Sequence, residues 1–198
     1  MKLIKKLIIL NCNIKVIIFS FAIFFLSSNY VLSQEEGLDS YLGVDTDYCS
    51  LYFQGNVDFK KIDRNINIKF LNISSVDRDL INQTEDLAKR IALKCDILVL
   101  KSEQILDMYP ADFHVNIIFF ENTERMLDEY ERLLGVREDL YSFYIYENNT
   151  IYTTQERINQ NVLAHEIGHA LVNHYFIIRP PRTVREIISQ YIDLHLED

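Results

Sequence analysis

Tryptophan is absent from this chain of 198 residues, and cysteine, proline and glycine are scarce, at three, three and five. Cys12 precedes the main apolar run and no cysteine follows it closely, so the N-terminus does not read as a lipoprotein. Cys49 and Cys95 are the remaining thiols; in an exported chain they can pair, or they can stay as two buried free thiols, and the sequence leaves both readings open. Positive charge is also short. Against 29 Asp and Glu stand 20 Lys and Arg, for a net charge of −9, which argues against nucleic acid or anionic lipid as partner. A long apolar run is missing too, since the stretch from Val16 to Leu26, interrupted by Ser20, is shorter than the ~20 residues needed to span a bilayer.

That short run follows lysines at 2, 5, 6 and 15 and precedes Ser27, Ser28 and Asn29, the arrangement of a secretory signal peptide. Val31 and Ser33 suit the positions before a cleavage site, so residues 1–33 are expected to be removed and the mature chain to start near Gln34. The expectation is export to periplasm, outer surface or medium, without stable membrane insertion after cleavage; an uncleaved N-terminal anchor is the alternative. The leader holds no acid, so residues 34–198 are more acidic than the whole. They can bury one sizeable core, and no internal repeat or low-complexity linker divides them, so a single domain is expected.

Residues 34–56 show no clear period and read as an irregular lead-in. Ile66, Ile68 and Phe70 alternate with polar residues, which predicts a half-buried strand, and apolar residues at helical spacing from about Asp77 to Met108 predict one long helix closed by Pro110. The run HVNIIFF at 114–120 predicts a buried strand, and Thr123 to Leu134 a helix ended by Gly135. SFYIY and TIYTT, around Glu147, Asn148 and Asn149, predict a β-hairpin. Thr153 and Glu156 have capping-box spacing and open the next helix; FIIRPP is a loop before a last helix from about Thr183 to Leu196. The fold class is therefore α+β.

The penultimate helix carries LAHEIGHALVNHYF, residues 163–176. Residues four apart on a helix lie one turn above each other, so His165 and His169 can offer two imidazole nitrogens to one ion. Glu166 points about 100 degrees round from His165, beside such an ion rather than bound to it, where a base acting on water must sit. Four of the five histidines fall in the last 34 residues. Catalytic zinc needs a third protein ligand and an open position. The downstream candidates are His174, Glu186, Asp193, His195 and Glu197. His174 points some 140 degrees away from His169 on the same helix. Metzincins, which begin similarly, place a glycine where Val172 stands and a histidine one position later. Glu186 is favoured, because Pro180 and Pro181 stop the first helix and let a second return antiparallel, while Asp193 lies two turns further along. The other reading of Glu186 is a capping-box partner of Thr183.

With these residues the chain resembles the gluzincins, the metallopeptidases in which HEXXH on one helix is completed by a glutamate on the next, and within them the small peptidase-MA-like proteins. The resemblance covers roughly residues 77–196. It implies a small zincin-like domain, with a short sheet and hairpin packed on the motif helix and a glutamate helix following. It also implies His165, His169 and Glu186 as ligands of Zn2+, Glu166 as general base and later proton donor, and a peptide or protein as substrate. One strand of the hairpin would bind an extended peptide by edge pairing. Tyr175, Tyr191 and His174 are within sequence reach as oxyanion donors. The chain departs from the thermolysin-like pattern in its gap of 16 residues between His169 and Glu186, and in Gln190, which stands where an aspartate would partner the first histidine. Around Glu186 only the glutamate and a following tyrosine remain of the Trp-Leu-x-Glu-Gly-x-Ala pattern. Two other function classes stay in view: a non-catalytic exported binding protein that holds zinc, and a metal-free interaction module.

Overall fold

A computed structural model describes residues 42–197, which belong to one compact unit. The expected signal peptide, the cleavage site and the lead-in before residue 42 lie outside the described residues.

Five strands form one mixed sheet in the order β1-β2-β3-β5-β4. Strand β1 (Leu42–Asp45) pairs antiparallel with β2 (Cys49–Gln54), β2 pairs parallel with β3 (Val115–Phe120), and β3 pairs parallel with β5 (Thr150–Thr154). Strand β4 (Phe143–Ile145) closes the order, antiparallel to β5. Six helices accompany them: α1 (Phe59–Asn65), α2 (Ser75–Gln83), α3 (Leu87–Leu106), α4 (Thr123–Leu134), α5 (Gln160–Tyr175) and α6 (Arg182–His195). The class is α+β, as expected.

Strand alternation sends side chains to two cores. Leu51, Phe53, Val115, Ile117, Phe119 and Ile151 meet Ile91, Cys95 and Leu98 of α3 and Leu163, Ile167 and Leu171 of α5. On the opposite face Phe120, Tyr152, Phe143 and Ile145 meet Met126, Leu127 and Tyr130 of α4. Both faces of β3 are therefore covered, which is why HVNIIFF is almost wholly apolar. The hairpin turns at Asn149, whose φ of 52° is left-handed, a conformation asparagine tolerates. Its amide donates to the carbonyl of His114, tying the turn to β3, while Tyr144 Oη donates to Asn149 Oδ1. Asn173 of α5 donates to the same Tyr144 oxygen, so the hairpin packs on the motif helix.

Several local expectations are corrected. Part of the lead-in forms β1 and β2, because Cys49, Leu51 and Phe53 alternate into the core. The alternation at 66–70 is not a strand: Ile66 and Ile68 are buried, but Phe70 is 67% exposed and the backbone closes in turns, with Leu71 N–H donating to Ile68 O. The long helix divides into α2 and α3, because Asp86 caps α3 by accepting from Ala88 and Lys89 N–H. Thr153 is buried in β5 instead of capping a helix, Glu156 accepts from Thr123 at the start of α4, and α5 is capped by Asn159. Cys49 and Cys95 are both free thiols, buried in the first core, and burial holds both above the ordinary thiol value. No helix among the described residues is long and apolar enough to cross a membrane.

Lys94 is a buried cation, 8% exposed, that fastens α1 and the irregular segment after it to α3. Its Nζ donates to the carbonyls of Asp63 and Ile66 at 2.5 and 3.0 Å and pairs with Asp63 Oδ1 at 2.8 Å, while Arg90 holds the other carboxylate oxygen at 2.7 Å. Burial pushes the Asp63 carboxyl up, but the hydrogen bonds from Arg90 and Lys94 outweigh it and hold the group below its ordinary value of 3.8. A depressed carboxyl stabilises the fold above the unfolded pKa and loses that contribution as pH falls through the folded pKa. Replacing Lys94 by Met leaves Asp63 to Arg90 alone and removes the donor to the Asp63 and Ile66 carbonyls, and is expected to cost about 2–3 kcal/mol at neutral pH. Thermal melts across the acid range provide the check, since the deficit of Lys94→Met relative to wild type must shrink as pH drops below about 4.

Candidate metal centre

Helix α5 turns Leu163, Ala164, Ile167, Ala170 and Leu171 into the first core, which leaves His165 and His169 on the flank toward α6. The chain then reverses through Pro180 and Pro181, and α6 starts with Arg185 N–H donating to the Pro181 carbonyl. Thr183 therefore does not cap this helix. Gly168 sets how close the two helices come. A Cβ there would lie 3.1 Å from the backbone Cα of Ser189, 2.9 Å from its Oγ and 2.7 Å from Ile192 Cδ1.

This approach brings Glu186 onto the histidines. Its Oε2 lies 3.6 Å from His165 Nε2 and 3.5 Å from His169 Nε2, and one ligand atom from each of the three residues falls within 4.8 Å of the others. Ligands about 2.1 Å from a shared tetrahedral ion stand roughly 3.4 Å apart, so the carboxylate-to-imidazole separations fit a zinc-sized ion. The two rings meet edge to face at 4.9 Å. His169 Nδ1 is buried with no hydrogen-bond partner among the described residues. Burial first, then the positive potential of His165 and nearby arginines, lowers the His169 pKa, which keeps the ring neutral as a ligand must be.

The partner of the first histidine is Asp193, not Gln190. His165 Nδ1–H donates to Asp193 Oδ2 at 3.2 Å, whereas Gln190 is exposed. The reason is direction: α6 returns along α5, so residues after Glu186 move toward the start of α5 and reach the far side of His165. Fixing the proton on Nδ1 leaves Nε2 free to ligate. Burial pulls His165 down, but the Asp193 hydrogen bond and the surrounding carboxylates raise it on balance.

Glu166 is buried on the next face of α5, and Ser142, just before β4, donates to its Oε1 at 2.7 Å. Burial pushes its carboxyl up to about 7, against the Ser142 hydroxyl and His165, which lower it. His165, His169, Glu166 and Glu186 open on a cleft of about 400 Å³ whose other walls include Tyr130, Tyr144, Arg182 and Arg185. Strand β4, at the end of the sheet, forms its rim through Phe143, Tyr144 and Ile145.

The remaining candidates are not brought here. His174 bonds the Ala170 carbonyl and packs edge-on against Phe113; His195 stacks on Tyr191; Tyr175 packs on Phe176; Glu197 is exposed. A larger cavity, about 570 Å³, lies between α1, α2 and α3, and four of its charged residues are engaged structurally. Asp63 holds Arg90 and Lys94, and Arg78 donates to the carbonyls of Lys69 and Leu71. Ser142, Arg182 and Arg185 escaped the sequence reading because nothing in their spacing links them to the motif. Asp193 was weighed as a ligand, and its hydrogen bond to His165 follows from helix pairing alone.

Comparison with family models, curated proteins and solved structures finds nothing that matches this chain.

Replacing Asp193 by Asn weakens the acceptor behind His165, and whatever affinity the three side chains have for zinc is expected to fall about 10- to 100-fold. Competition with a chromophoric chelator measures it, and an unchanged affinity would remove Asp193 from the site. Gly168→Ala forces α6 outward and is expected to destabilise the protein by about 1–3 kcal/mol while also separating Glu186 from the two histidines, read from a melt and the same competition.

Proposed function

We propose that this chain is an exported zinc-dependent peptidase of gluzincin type, with His165, His169 and Glu186 as metal ligands and Glu166 as general base. The observation that carries the reading is the convergence of a two-histidine, one-glutamate set with a buried carboxylate that is not part of the set. Three protein ligands leave a tetrahedral position open, and a closed structural site has no use for a neighbouring base. Zinc, when bound, supplies a Lewis acid and makes water acidic enough to attack near neutral pH.

The chain's own residues supply the rest. Ser142 fixes one oxygen of Glu166 and leaves the other free toward the cleft, where it can take a proton from the attacking water and return it to the leaving amine. The end position of β4 beside these groups suits an extended peptide added to the sheet by backbone pairing. A zincin-like ancestry and passage through a secretory route belong to the same proposal; the latter rests on the N-terminal sequence alone.

Elemental analysis of the mature protein, purified without chelator, tests the metal. About one zinc per chain is expected, with clearly less in Glu186→Ala. Glu166→Gln is expected to keep the zinc and lose roughly 100- to 10,000-fold in cleavage of a peptide library. Zinc-free wild type would overturn the metal site, and a Glu166→Gln variant as active as wild type would overturn the mechanism.

A further inference from the structure

The cleft holds an unsatisfied cation. Arg182 and Arg185 both line it, one helical turn apart on α6, and Arg179 stands just before them in IIRPPRTVRE, a basic patch in a chain of net charge −9. Arg179 is occupied, lying over the Tyr146 ring at 4.5 Å. Arg185 Nε is buried with no hydrogen-bond partner among the described residues. The acids on the cleft wall leave Arg185 without a hydrogen bond: Glu166 accepts from Ser142, Glu138 is hydrogen-bonded with Tyr130, and Glu186 faces the histidines and Arg182, attracting Arg185 only through its field. Arg185 is only half-buried, so the rest of its guanidinium stays open to the cleft, and a planar fork of five donors in that position suits an incoming anion. Arg182, whose side chain is 85% exposed, can swing toward the same anion and reaches Glu186 at only 3.7 Å now.

Resting on the peptidase reading, we infer that the cleft selects substrates carrying a carboxylate next to the scissile bond, and that Arg185, assisted by Arg182, receives it. A bidentate guanidinium–carboxylate contact fits the planar group better than any neutral side chain does. The carboxylate has two chemical sources, the free C-terminus of a short peptide or an Asp or Glu side chain within a longer one. The arginines would also offset the repulsion that an acidic peptide meets at the rest of this surface.

The test uses zinc-loaded Glu166→Gln protein, which holds peptide without turning it over, and fluorescence anisotropy of labelled peptide pairs. One pair differs by C-terminal acid against amide, the other by internal Glu against Gln. The acid member of one pair is expected to bind roughly ten- to hundred-fold tighter, and Arg185→Gln to erase that difference. A preference confined to the first pair identifies the C-terminus, and one confined to the second identifies a side chain. Equal binding within both pairs overturns the inference while leaving zinc content and cleavage by wild type, hence the peptidase reading, intact. Should Arg185→Gln fail to fold, Arg182→Gln at the exposed position is expected to narrow the difference in part, and an undiminished preference there and at raised salt overturns the assignment. A third result also overturns it: wild-type and Arg185→Gln cleavage rates that differ by the same factor for every peptide. Arg185 would then serve the reaction's own oxyanion instead of a substrate carboxylate.

Discussion

Contact between α5 and α6 at Gly168 is the constraint on which the site depends. A glycine there lets the Ser189 backbone approach within a distance that a methyl group would contest, and that proximity sets where every α6 side chain falls along α5. Glu186 comes level with the two histidine Nε2 atoms, and Asp193 comes level with the far nitrogen of His165. Ile192 and Leu196 then close the seam as part of the first core. A shift of one helical turn in this pairing, about 5.4 Å, would separate Glu186 from the two histidines while leaving both helices intact.

Around that seam the polar groups divide their work by burial. Imidazoles and carboxylates sit where the sheet and α5 shield them from water on one side, and His165 and Glu166 each gain a hydrogen-bond partner. Asp193 orients His165, Ser142 orients Glu166, and the buried His169 ring is held neutral. Electrostatic interactions strengthen in such surroundings, which is why one hydroxyl or one carboxylate behind the reacting groups carries weight. On the cationic side of the cleft Glu186 is the acid near both arginines, and Arg185 Nε is left without a hydrogen-bond partner among the described residues.

Elements with strong periodicity or unambiguous stop signals were legible in the sequence. HVNIIFF forms the central strand, Thr123 to Leu134 a helix closed by left-handed Gly135, and the asparagine turn a hairpin. Readings failed where tertiary contacts override local pattern. The alternation at Ile66 and Ile68 reflects two side chains buried in the first core from a turn whose Ile66 carbonyl accepts from Lys94, not a pleated strand, and the apolar spacing from 77 to 108 conceals the break that Asp86 imposes. The first two strands went unread because β2 is stabilised by parallel pairing with β3, more than sixty residues on, and nothing near it in the chain announces that partner.

By itself the sequence determined the α+β class, the helix that presents His165, Glu166 and His169, and the reversal that returns Glu186 toward them. Such information is local: helical periodicity fixes which side chains share a face, and a double proline bars a helix from running on through it, although α5 already ends at Tyr175. Tertiary structure alone decided that Asp193 and not Gln190 backs the first histidine, that Ser142 grips Glu166, that β4 lies at the sheet's end, and that Arg185 lines the cleft with its Nε unpartnered among the described residues. These depend on the relative placement of elements far apart in the chain, which is set by how closely two helices pack and in what order strands pair, and no local spacing encodes either.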